Sequence, residues 1–289
     1  MKIEENIPLA RFTTIGTGGP ARALAWPETL DELREALVWA RDLPVATVGL
    51  GSNLLVADAG FDGLVVKLAG GLAGVDVRGD RLVVGGGAAN AVALHRARDA
   101  GLGGFEFACA IPGTAGGGVW MNAGAYGGDW SQILVEATVV DAEGTRTMTA
   151  DELGLRYRHS ELRHGQVVAR VEFRLEPRPP DEIKARVREL NAQRKAAQPT
   201  NRRTFGSVFK NPKHELSAGR MLEACGLKGH RIGGAQISPR HANFIENADG
   251  ARSADAMALM AEARRRARER FDVTLEHEVV LLGAIELPE

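Results

Sequence analysis

Two glycine-rich stretches of the sequence expose backbone more than side chains. The first, VGLGSNLLV, runs from Val48 to Val56, where glycines and small polar residues join two apolar runs. The second, IPGTAGGGVWMNAGAYG, runs from Ile111 to Gly127. Glycine lets the chain lie close against a flat or phosphorylated ligand, and successive backbone N–H groups can bind a phosphate. Both stretches are therefore candidate binding loops.

The two loops differ in how strongly they indicate a ligand. The first lacks the third glycine of a dinucleotide-binding fingerprint, and the apolar run that follows it is too β-like to open a helix on a pyrophosphate. On spacing alone, a structural turn and a phosphate loop remain equal alternatives there. The second loop favours a ligand, because Thr114, Asn122 and Tyr126 add hydrogen-bonding side chains to the glycines.

A third segment, GSVFKNP from Gly206 to Pro212, brings a hydroxyl, an ammonium and an amide close together in sequence. Taken singly, a Gly-Ser pair is more often a turn or a helix cap, and a lone arginine such as Arg158 is more often a surface residue. In a C-terminal strand, Glu276 and Glu278 would share one face, so alternation does not choose between them. The residue types alone leave these roles open.

The order of these segments resembles that of the UDP-N-acetylenolpyruvoylglucosamine reductase family. Residues 111–127 are similar to the family motif IPGSxGGAxxMNAGAYG, residues 49–56 to GxGSNLLV, and residues 206–212 to GSxFKNP. Departures fall at motif edges, where Thr114-Ala115 stands in place of the usual Ser-Val and Thr204-Phe205 precedes the Gly-Ser pair. No insertion carrying a lid tyrosine follows Arg158, so the chain resembles the shorter family type.

The resemblance implies a cofactor and a co-substrate. The cofactor would be FAD, held noncovalently, although a histidine such as His95 is an alternative covalent anchor. NADPH would deliver hydride to flavin N5, from which it would pass to the enolpyruvyl group of the sugar nucleotide. The implied FAD contacts are Gly49, Gly51, Ser52, Asn53, Leu54, Ile111, Pro112, Gly113, Thr114, Gly116, Gly117, Asn122, Ala123, Gly124 and Tyr126.

The resemblance also implies three catalytic residues. Arg158, in YRHS, would hold the substrate carboxylate, Ser207 would protonate the carbanionic centre, and Glu278 would polarise the carboxylate together with Arg158. Lys210 and Asn211 are expected near the substrate phosphates, and Tyr157 is expected at the substrate. Two other classes remain: a flavin oxidase on the same cofactor fold, and a catalytically silent flavin- or nucleotide-binding module, which would give these three residues no purpose.

Local patterns predict an α+β chain. Thr29 and Glu32 form a capping box ahead of a helix, and Glu143-Gly144 forms a hairpin turn. Ser217 and Gly226 bracket one later helix, and Ser253 opens another. The predicted helices and strands are a helix at Leu30–Arg41, strands at Val45–Val48, Leu64–Leu68, Arg81–Val84, Leu134–Val140, Thr145–Thr149 and Val167–Leu175, helices from Ile183, after Ser217 and from Ser253 to Phe271, and a strand at Val273–Leu282.

The resemblance implies a vanillyl-alcohol-oxidase (PCMH) type FAD-binding unit followed by a smaller α+β substrate-binding domain. The prolines at 177, 179 and 180 mark the boundary. We expect an FAD-binding region at 1–180, divisible into 1–58 and 59–180, then a connecting helix at 181–200 and a substrate-binding domain at 201–289. The last strand is expected to return to the FAD region.

Composition excludes several classes of protein. Lys plus Arg is 36 and Asp plus Glu is 37, so no global field draws the chain to nucleic acid or to an anionic membrane. The 2 cysteines and 7 histidines have no metal-site or disulfide-framework spacing. The N-terminus lacks a signal-peptide pattern, so we expect a cytoplasmic protein. The Cys and His spacing leads us to expect no metal, and we expect no obligate protein partner. The resemblance implies that the substrate is a small sugar nucleotide.

Overall fold

A computed structural model describes residues 2–288 and contains both helices and strands. The helices are α1 (Leu30–Trp39), α2 (Asn90–Asp99), α3 (Ala115–Trp120), α4 (Pro180–Ala197), α5 (Ala218–Ala224) and α6 (Ser253–Phe271). The strands are β1 (Ile3–Pro8), β2 (Pro20–Ala25), β3 (Val45–Thr47), β4 (Leu54–Val56), β5 (Phe61–Val66), β6 (Val75–Arg78), β7 (Arg81–Gly85), β8 (Leu102–Gly103), β9 (Gly124–Ala125), β10 (Gly128–Asp129), β11 (Leu134–Val140), β12 (Thr145–Thr149), β13 (Val167–Arg174), β14 (Glu176–Pro177), β15 (Thr204–Ser207), β16 (Arg231–Ile232), β17 (Ala235–Ile237), β18 (Phe244–Asn247) and β19 (Val280–Leu282).

The chain divides into two compact units. The first comprises residues 1–5, 23–50 and 63–194, and the second comprises residues 6–22, 51–62 and 195–289. This division differs from the predicted contiguous ranges, because two early segments belong with the C-terminal part and most of α4 belongs with the first unit. The functions assigned to the predicted ranges stay predictions.

The first unit is organised around a five-stranded antiparallel sheet. Its strand order is β12-β11-β13-β7-β6, and the hairpin between β11 and β12 has the predicted bounds. Buried aromatic rings form the centre of its larger core, where the Phe105 and Trp130 rings stack with centroids 5.1 Å apart. A smaller core lies under α1, which buries Leu33, Ala36 and Leu37.

Helix α1 shows how sequence sets a local boundary. The Thr29 hydroxyl accepts a hydrogen bond from the Glu32 backbone N–H at 3.2 Å, and the Glu32 carboxylate accepts one from the Glu28 N–H at 2.7 Å. These two bonds occupy donors that a helix start otherwise leaves without partners. The predicted helix at Leu30–Arg41 is therefore confirmed, two residues shorter at its C-terminal end.

The second unit packs helices on one face of a four-stranded antiparallel sheet. The strand order is β15-β18-β17-β16. Ile237 and Ile245 lie opposite each other on β17 and β18, and both contribute to the core that contains Leu259 and Met260 of α6. Elsewhere in the unit, β19 pairs in parallel with β4, with Leu281 opposite Leu55.

The predicted set of helices and strands was incomplete. The structure adds α2, in a segment for which the sequence analysis predicted no element, and the short helix α3, in a segment that it interpreted as a loop. The predicted strand Val273–Leu282 is regular only over β19, because the residues before it form a single bridge between His277 and Phe209. Within residues 2–288, no helix has the length and apolar content needed to cross a membrane.

Candidate functional site

In the first unit, the two glycine-rich loops meet at Gly49 and Thr114. A Cβ added to Gly49 would lie 2.6 Å from Thr114 Oγ1, closer than Cβ atoms come to other heavy atoms in proteins, and 3.0 Å from Thr114 Cγ2. Glycine at this position therefore leaves room for the Thr114 side chain. Thr114 is buried and caps α3, since its hydroxyl accepts from the Gly117 N–H at 3.5 Å.

The glycines of α3 serve packing as well as backbone exposure. A Cβ on Gly116 would lie 2.9 Å from the Val168 carbonyl oxygen, and a Cβ on Gly118 would overlap the indole of buried Trp130. Gly117, between them, is exposed. Successive glycines therefore bring α3 against the β13 strand while one side of the helix remains without side chains.

Two residues that sequence analysis did not identify hold these loops. The Lys67 ammonium donates to the Gly49 carbonyl oxygen at 2.8 Å, and burial lowers the pKa of Lys67. The Asn90 side chain donates to the Ile111 carbonyl oxygen at 3.0 Å, and the Asn90 N–H donates to the Gly113 carbonyl at 3.0 Å. Neither residue belongs to a glycine-rich motif, so the sequence offered no signal for them.

This part of the first unit fits a dinucleotide cofactor such as FAD. Gly49 leaves room for the Thr114 side chain and Gly117 is exposed, so the two loops form a cradle in which backbone groups have little side-chain cover. Ile111 and Gly113 beside it are half-buried and Pro112 is exposed. A flat, phosphate-bearing ligand needs such close backbone approach, and the residues present provide it.

Asn122 and Tyr126 are the polar side chains of the same loop, and each has left-handed backbone, with φ of 39° and 51°. The Asn122 amide is buried and bridges backbone, donating to the Arg156 carbonyl and accepting from the Ser131 N–H, both at 3.0 Å. The Tyr126 ring is exposed. Partial burial raises the pKa of the Tyr126 hydroxyl, and the positive charge of Arg194 offsets part of this increase. Asn122 therefore shapes the loop, and Tyr126 is the more accessible of the two.

Arg158 lies in a tight turn of the first unit. Arg156 and His159 exchange backbone hydrogen bonds of 3.0 Å across the turn, and Arg158 adopts a φ of 52°. An L-residue rarely takes this conformation, which costs about 1 kcal/mol or more. The Arg158 guanidinium donates to the Gly124 carbonyl at 2.7 Å and lies 5.0 Å from the exposed Tyr157 ring. The turn thus places the arginine beside the glycine-rich loop.

In the second unit, a β-bulge orients Ser207. Thr204 pairs with Glu246 and Ser207 pairs with Phe244, so three steps along β15 match two along β18. Gly206 supplies the left-handed residue of the bulge with a φ of 82°. Bulges of this kind redirect the next side chain, and they are common beside functional sites. Ser207 remains half-buried next to the buried Phe205.

The segment after Ser207 is fixed by backbone hydrogen bonds on both sides. The Val208 N–H donates to the Asn243 carbonyl at 2.9 Å, while the Val208 carbonyl accepts from the Glu278 N–H at 2.8 Å. The buried Asn243 side chain also bonds the N–H and the carbonyl of Phe209, at 3.0 and 2.8 Å. The backbones carrying Ser207 and Glu278 are therefore neighbours in this unit.

Glu276 and Glu278 have different environments. The Glu276 side chain is 77% exposed and pairs with the Lys210 ammonium at 3.3 Å. Glu278 is half-buried, and its carbonyl accepts from the Asn53 side chain at 3.1 Å. The two carboxylates therefore differ in exposure, and the choice of Glu278 as the catalytic residue stays a prediction.

The remaining predicted residues of the second unit lie in the same region or support it. Gly51 has a φ of 65°, and a Cβ there would overlap the Phe12 carbonyl oxygen. A Cβ on Gly206 would lie 3.2 Å from the Ser52 carbonyl oxygen, and the Asn53 carbonyl accepts from the Val280 N–H at 3.0 Å. Leu54 begins β4 and is buried.

The Asn211 side chain forms a hydrogen bond with the first residue of α5, whereas the Lys210 side chain forms an ion pair with Glu276. The Asn211 side-chain oxygen accepts from the Ala218 N–H at 3.1 Å, whereas the Lys210 ammonium is engaged with Glu276. The second unit therefore brings together the segments that carry Ser52, Asn53, Ser207 and Glu278. In the first unit, Gly49 lies against Thr114 and Arg158 contacts Gly124. Among residues 2–288, no cluster of three or more His, Cys, Asp or Glu side chains could hold a metal ion.

Two family models match the chain. Residues 21–149 match the model described as FAD binding domain. Residues 198–282 match the model described as UDP-N-acetylenolpyruvoylglucosamine reductase, C-terminal domain. The first match contains both glycine-rich loops, and the second contains Ser207 and Glu278.

Named relatives match over nearly the whole chain. The UDP-N-acetylenolpyruvoylglucosamine reductase of Anaeromyxobacter dehalogenans is 45% identical over 96% of this chain and 85% of its own length. The enzyme of that name from Limosilactobacillus reuteri is 40% identical over 98% of this chain and 96% of its own. The crystal structure of the corresponding reductase from Thermus caldophilus superposes with a TM-score of 0.87 at 38% identity, covering 98% of this chain and 100% of that one.

These likenesses confirm the expected fold class. It is α+β, with a vanillyl-alcohol-oxidase (PCMH) type FAD-binding unit and a smaller α+β C-terminal domain. FAD is confirmed as the expected cofactor by the FAD binding domain match. The roles of individual residues stay predictions.

Proposed function

Because the chain belongs to the UDP-N-acetylenolpyruvoylglucosamine reductase family, we propose that it uses NADPH to reduce UDP-N-acetylenolpyruvoylglucosamine to UDP-N-acetylmuramate. The reaction would be a cytoplasmic step in making the peptidoglycan precursor. FAD, when bound, would supply the two-electron hydride chemistry. The observation that carries the proposal is the backbone pairing that brings the Ser207 and Glu278 segments together in the second unit.

Arg158 would bind the carboxylate of the enolpyruvyl group. Hydride addition at the terminal alkene carbon pushes negative charge through the adjacent carbon into that carboxylate, so a fixed cation there stabilises the transition state. A guanidinium keeps its charge and can bind the carboxylate through two parallel hydrogen bonds. Its position beside the glycine-rich loop, at 2.7 Å from the Gly124 carbonyl, supports this role.

Ser207 would give its hydroxyl proton to the adjacent, carbanionic carbon. A serine is a weak acid in water, but a proton transfer to so basic a carbon becomes efficient when the hydroxyl is held beside it. The Gly206 bulge and the Asn243 hydrogen bonds supply that positioning. Glu278 would polarise the carboxylate together with Arg158, and Lys210, Asn211 and Tyr157 would contact the rest of the substrate.

The test is anaerobic absorbance of the purified protein before NADPH, after NADPH, and after the enolpyruvyl sugar nucleotide. We expect a flavin band that bleaches with NADPH and returns when the sugar nucleotide is added, with one UDP-N-acetylmuramate formed per flavin. Bleaching without return would favour an oxidase or another flavoenzyme and reject the proposal. A protein that bleaches equally fast with NADPH but returns only on admission of air would also reject it.

A further inference from the structure

An open pocket in the second unit is lined by three arginines. We call it the arginine pocket and define it by Arg202, Arg231, Gln236, Arg240 and Glu246. It encloses about 500 Å³, within the range of about 300–1,000 Å³ that small-molecule sites occupy. The proposed reaction uses none of these residues.

The floor of the arginine pocket is a row of side chains that crosses the sheet. Arg231 pairs with Gln236, and Gln236 pairs with Glu246, on three neighbouring strands. Directly paired residues project from the same face of a sheet. Their sequence neighbours Ala235, Ile237 and Ile245 belong to the core with α6, so the polar row lies on the opposite face.

The walls of the pocket come from two loops. Arg240 is exposed and fixed by its own Nη1, which donates to the Lys195 carbonyl at 2.8 Å. Arg202 precedes β15, with a side chain that is 66% exposed and an Nε that lies 3.8 Å from a Glu246 carboxylate oxygen. Three guanidiniums and one carboxylate therefore line the pocket, and the net charge of its lining is positive.

The chemistry of the pocket changes from rim to floor. Arg231 is exposed and forms no ion pair within residues 2–288, so its guanidinium is available to an anion. The Glu246 side chain is only 8% exposed, and it can accept hydrogen bonds from hydroxyl or amino groups. Gln236 offers a carbonyl oxygen, since its amide nitrogen donates to the Gly229 carbonyl at 3.0 Å.

We propose that the arginine pocket binds a small organic phosphate ester. Its phosphate would lie between the guanidiniums of Arg231 and Arg240, which match phosphate oxygens in geometry and charge. Its hydroxyl-bearing body would lie over the sheet, with hydrogen bonds to Glu246 and Gln236. Bare phosphate would satisfy only the rim and would be repelled by the carboxylate at the floor.

The test is isothermal titration of the FAD-loaded protein at low ionic strength, without NADPH or the sugar nucleotide. The probes are ribose 5-phosphate, adenosine 5′-monophosphate and inorganic phosphate. The pocket variant is R231Q/R240Q, and the matched control is R265Q/R268Q, which removes two exposed arginines from α6 of the same unit. Melting temperatures establish that both variants are folded.

We expect at least one ester to bind the native protein and the control variant with equal affinity. The same ester should bind the pocket variant at least about tenfold more weakly, because the loss of a bidentate contact to an ionised group is worth roughly that factor. Binding of ribose 5-phosphate alone would identify a sugar phosphate, and tighter binding of the adenosine ester would identify a nucleotide. Absence of ester binding, equal binding to pocket variant and control, or inorganic phosphate binding as tightly as both esters would overturn the proposal.

If the double variant does not fold, the same titration is carried out with the single variant Arg231→Gln. Arg240 holds the Lys195 carbonyl, whereas Arg231 lies exposed on β16 at the sheet edge. The single variant should therefore keep the native melting temperature and still weaken ester binding, by roughly fivefold. An unchanged affinity in this variant would reject the pocket as the binding site.

Discussion

The glycine-rich loops of the first unit and the Ser207 region of the second unit are built in opposite ways. In the first, function depends on side chains that are missing, because Gly49 must lie against Thr114 and Gly118 against Trp130. In the second, the proposed chemistry depends on one hydroxyl, on a segment that a left-handed glycine and a buried asparagine hold in place. In the proposed function, the backbone of the first region binds the cofactor, whereas side chains of the second region carry the chemistry. Substitutions in the two regions should therefore fail in different assays.

The largest expected effect is that of Ser207→Ala on the chemical step. We expect the variant to retain FAD and its reduction by NADPH, while reoxidation by the sugar nucleotide slows by roughly 10²–10⁴-fold, the usual contribution of a positioned acid. Rapid-mixing absorbance separates the two half-reactions. The matched control is Ser253→Ala, which removes a buried hydroxyl bonded to Thr17 at 2.9 Å in the same unit and should lower stability but not rate. Unchanged reoxidation would remove Ser207 as the proton donor.

The second prediction compares the two neighbouring carboxylates. Glu278→Gln should lower turnover by about 10²-fold or more, since Glu278 is sheltered beside the Ser207 segment. Glu276→Gln removes only an exposed ion pair with Lys210 and should change turnover less than about threefold. Steady-state kinetics of both variants decide between them. Equal losses would show that the sheltered position does not distinguish Glu278.

The third prediction concerns the contact between the two glycine-rich loops. Gly49→Ala places a methyl group 2.6 Å from Thr114 Oγ1, so the loops must separate and FAD should bind about tenfold or more weakly. Thr114→Ala removes the colliding atoms, and the double variant should regain part of the lost affinity. Flavin fluorescence during dialysis measures retention. Additive losses in the double variant would mean that this approach does not shape the cradle.

The smallest expected effect lies outside both regions. Thr29→Ala removes the cap of α1 and should cost about 1 kcal/mol of unfolding free energy, without change in FAD content or turnover. Urea unfolding followed by circular dichroism measures it. A loss of flavin from this variant would indicate that destabilising α1 also weakens FAD binding by the first unit.

Much of the fold follows from patterns that have a physical cause in short segments. The α1 boundary follows from its cap, and the β11–β12 hairpin follows from the glycine in its turn, which has a φ of 158°. Helix α3 was not predictable in this way, since three consecutive glycines oppose a helix, and the Trp130 and β13 contacts that favour it, besides the Thr114 cap, come from distant segments. The pairing of β19 with β4 spans most of the chain, and no local pattern contains it.

The candidate site was predictable only through the family resemblance. Residue types do not distinguish Arg158 from other arginines, and its left-handed backbone has no sequence signal. The burial of Asn122 and the contact of Lys67 with Gly49 depend on distant segments, so the sequence could not assign them. The α+β class and FAD are confirmed, while the roles of Ser207, Glu278 and Arg158 stay predictions.

The pairing of the last strand with β4 has a consequence for synthesis on the ribosome. Leu54 meets Val280, so the early segment leaves the exit tunnel long before its partner is made. At about 5–20 residues per second, the delay is roughly 10–45 s. During that time β4 lacks its partner strand β19, and a message truncated near its 3′ end would yield a chain in which this pairing cannot form. We expect such nascent chains to need chaperone protection and to be cleared by proteases.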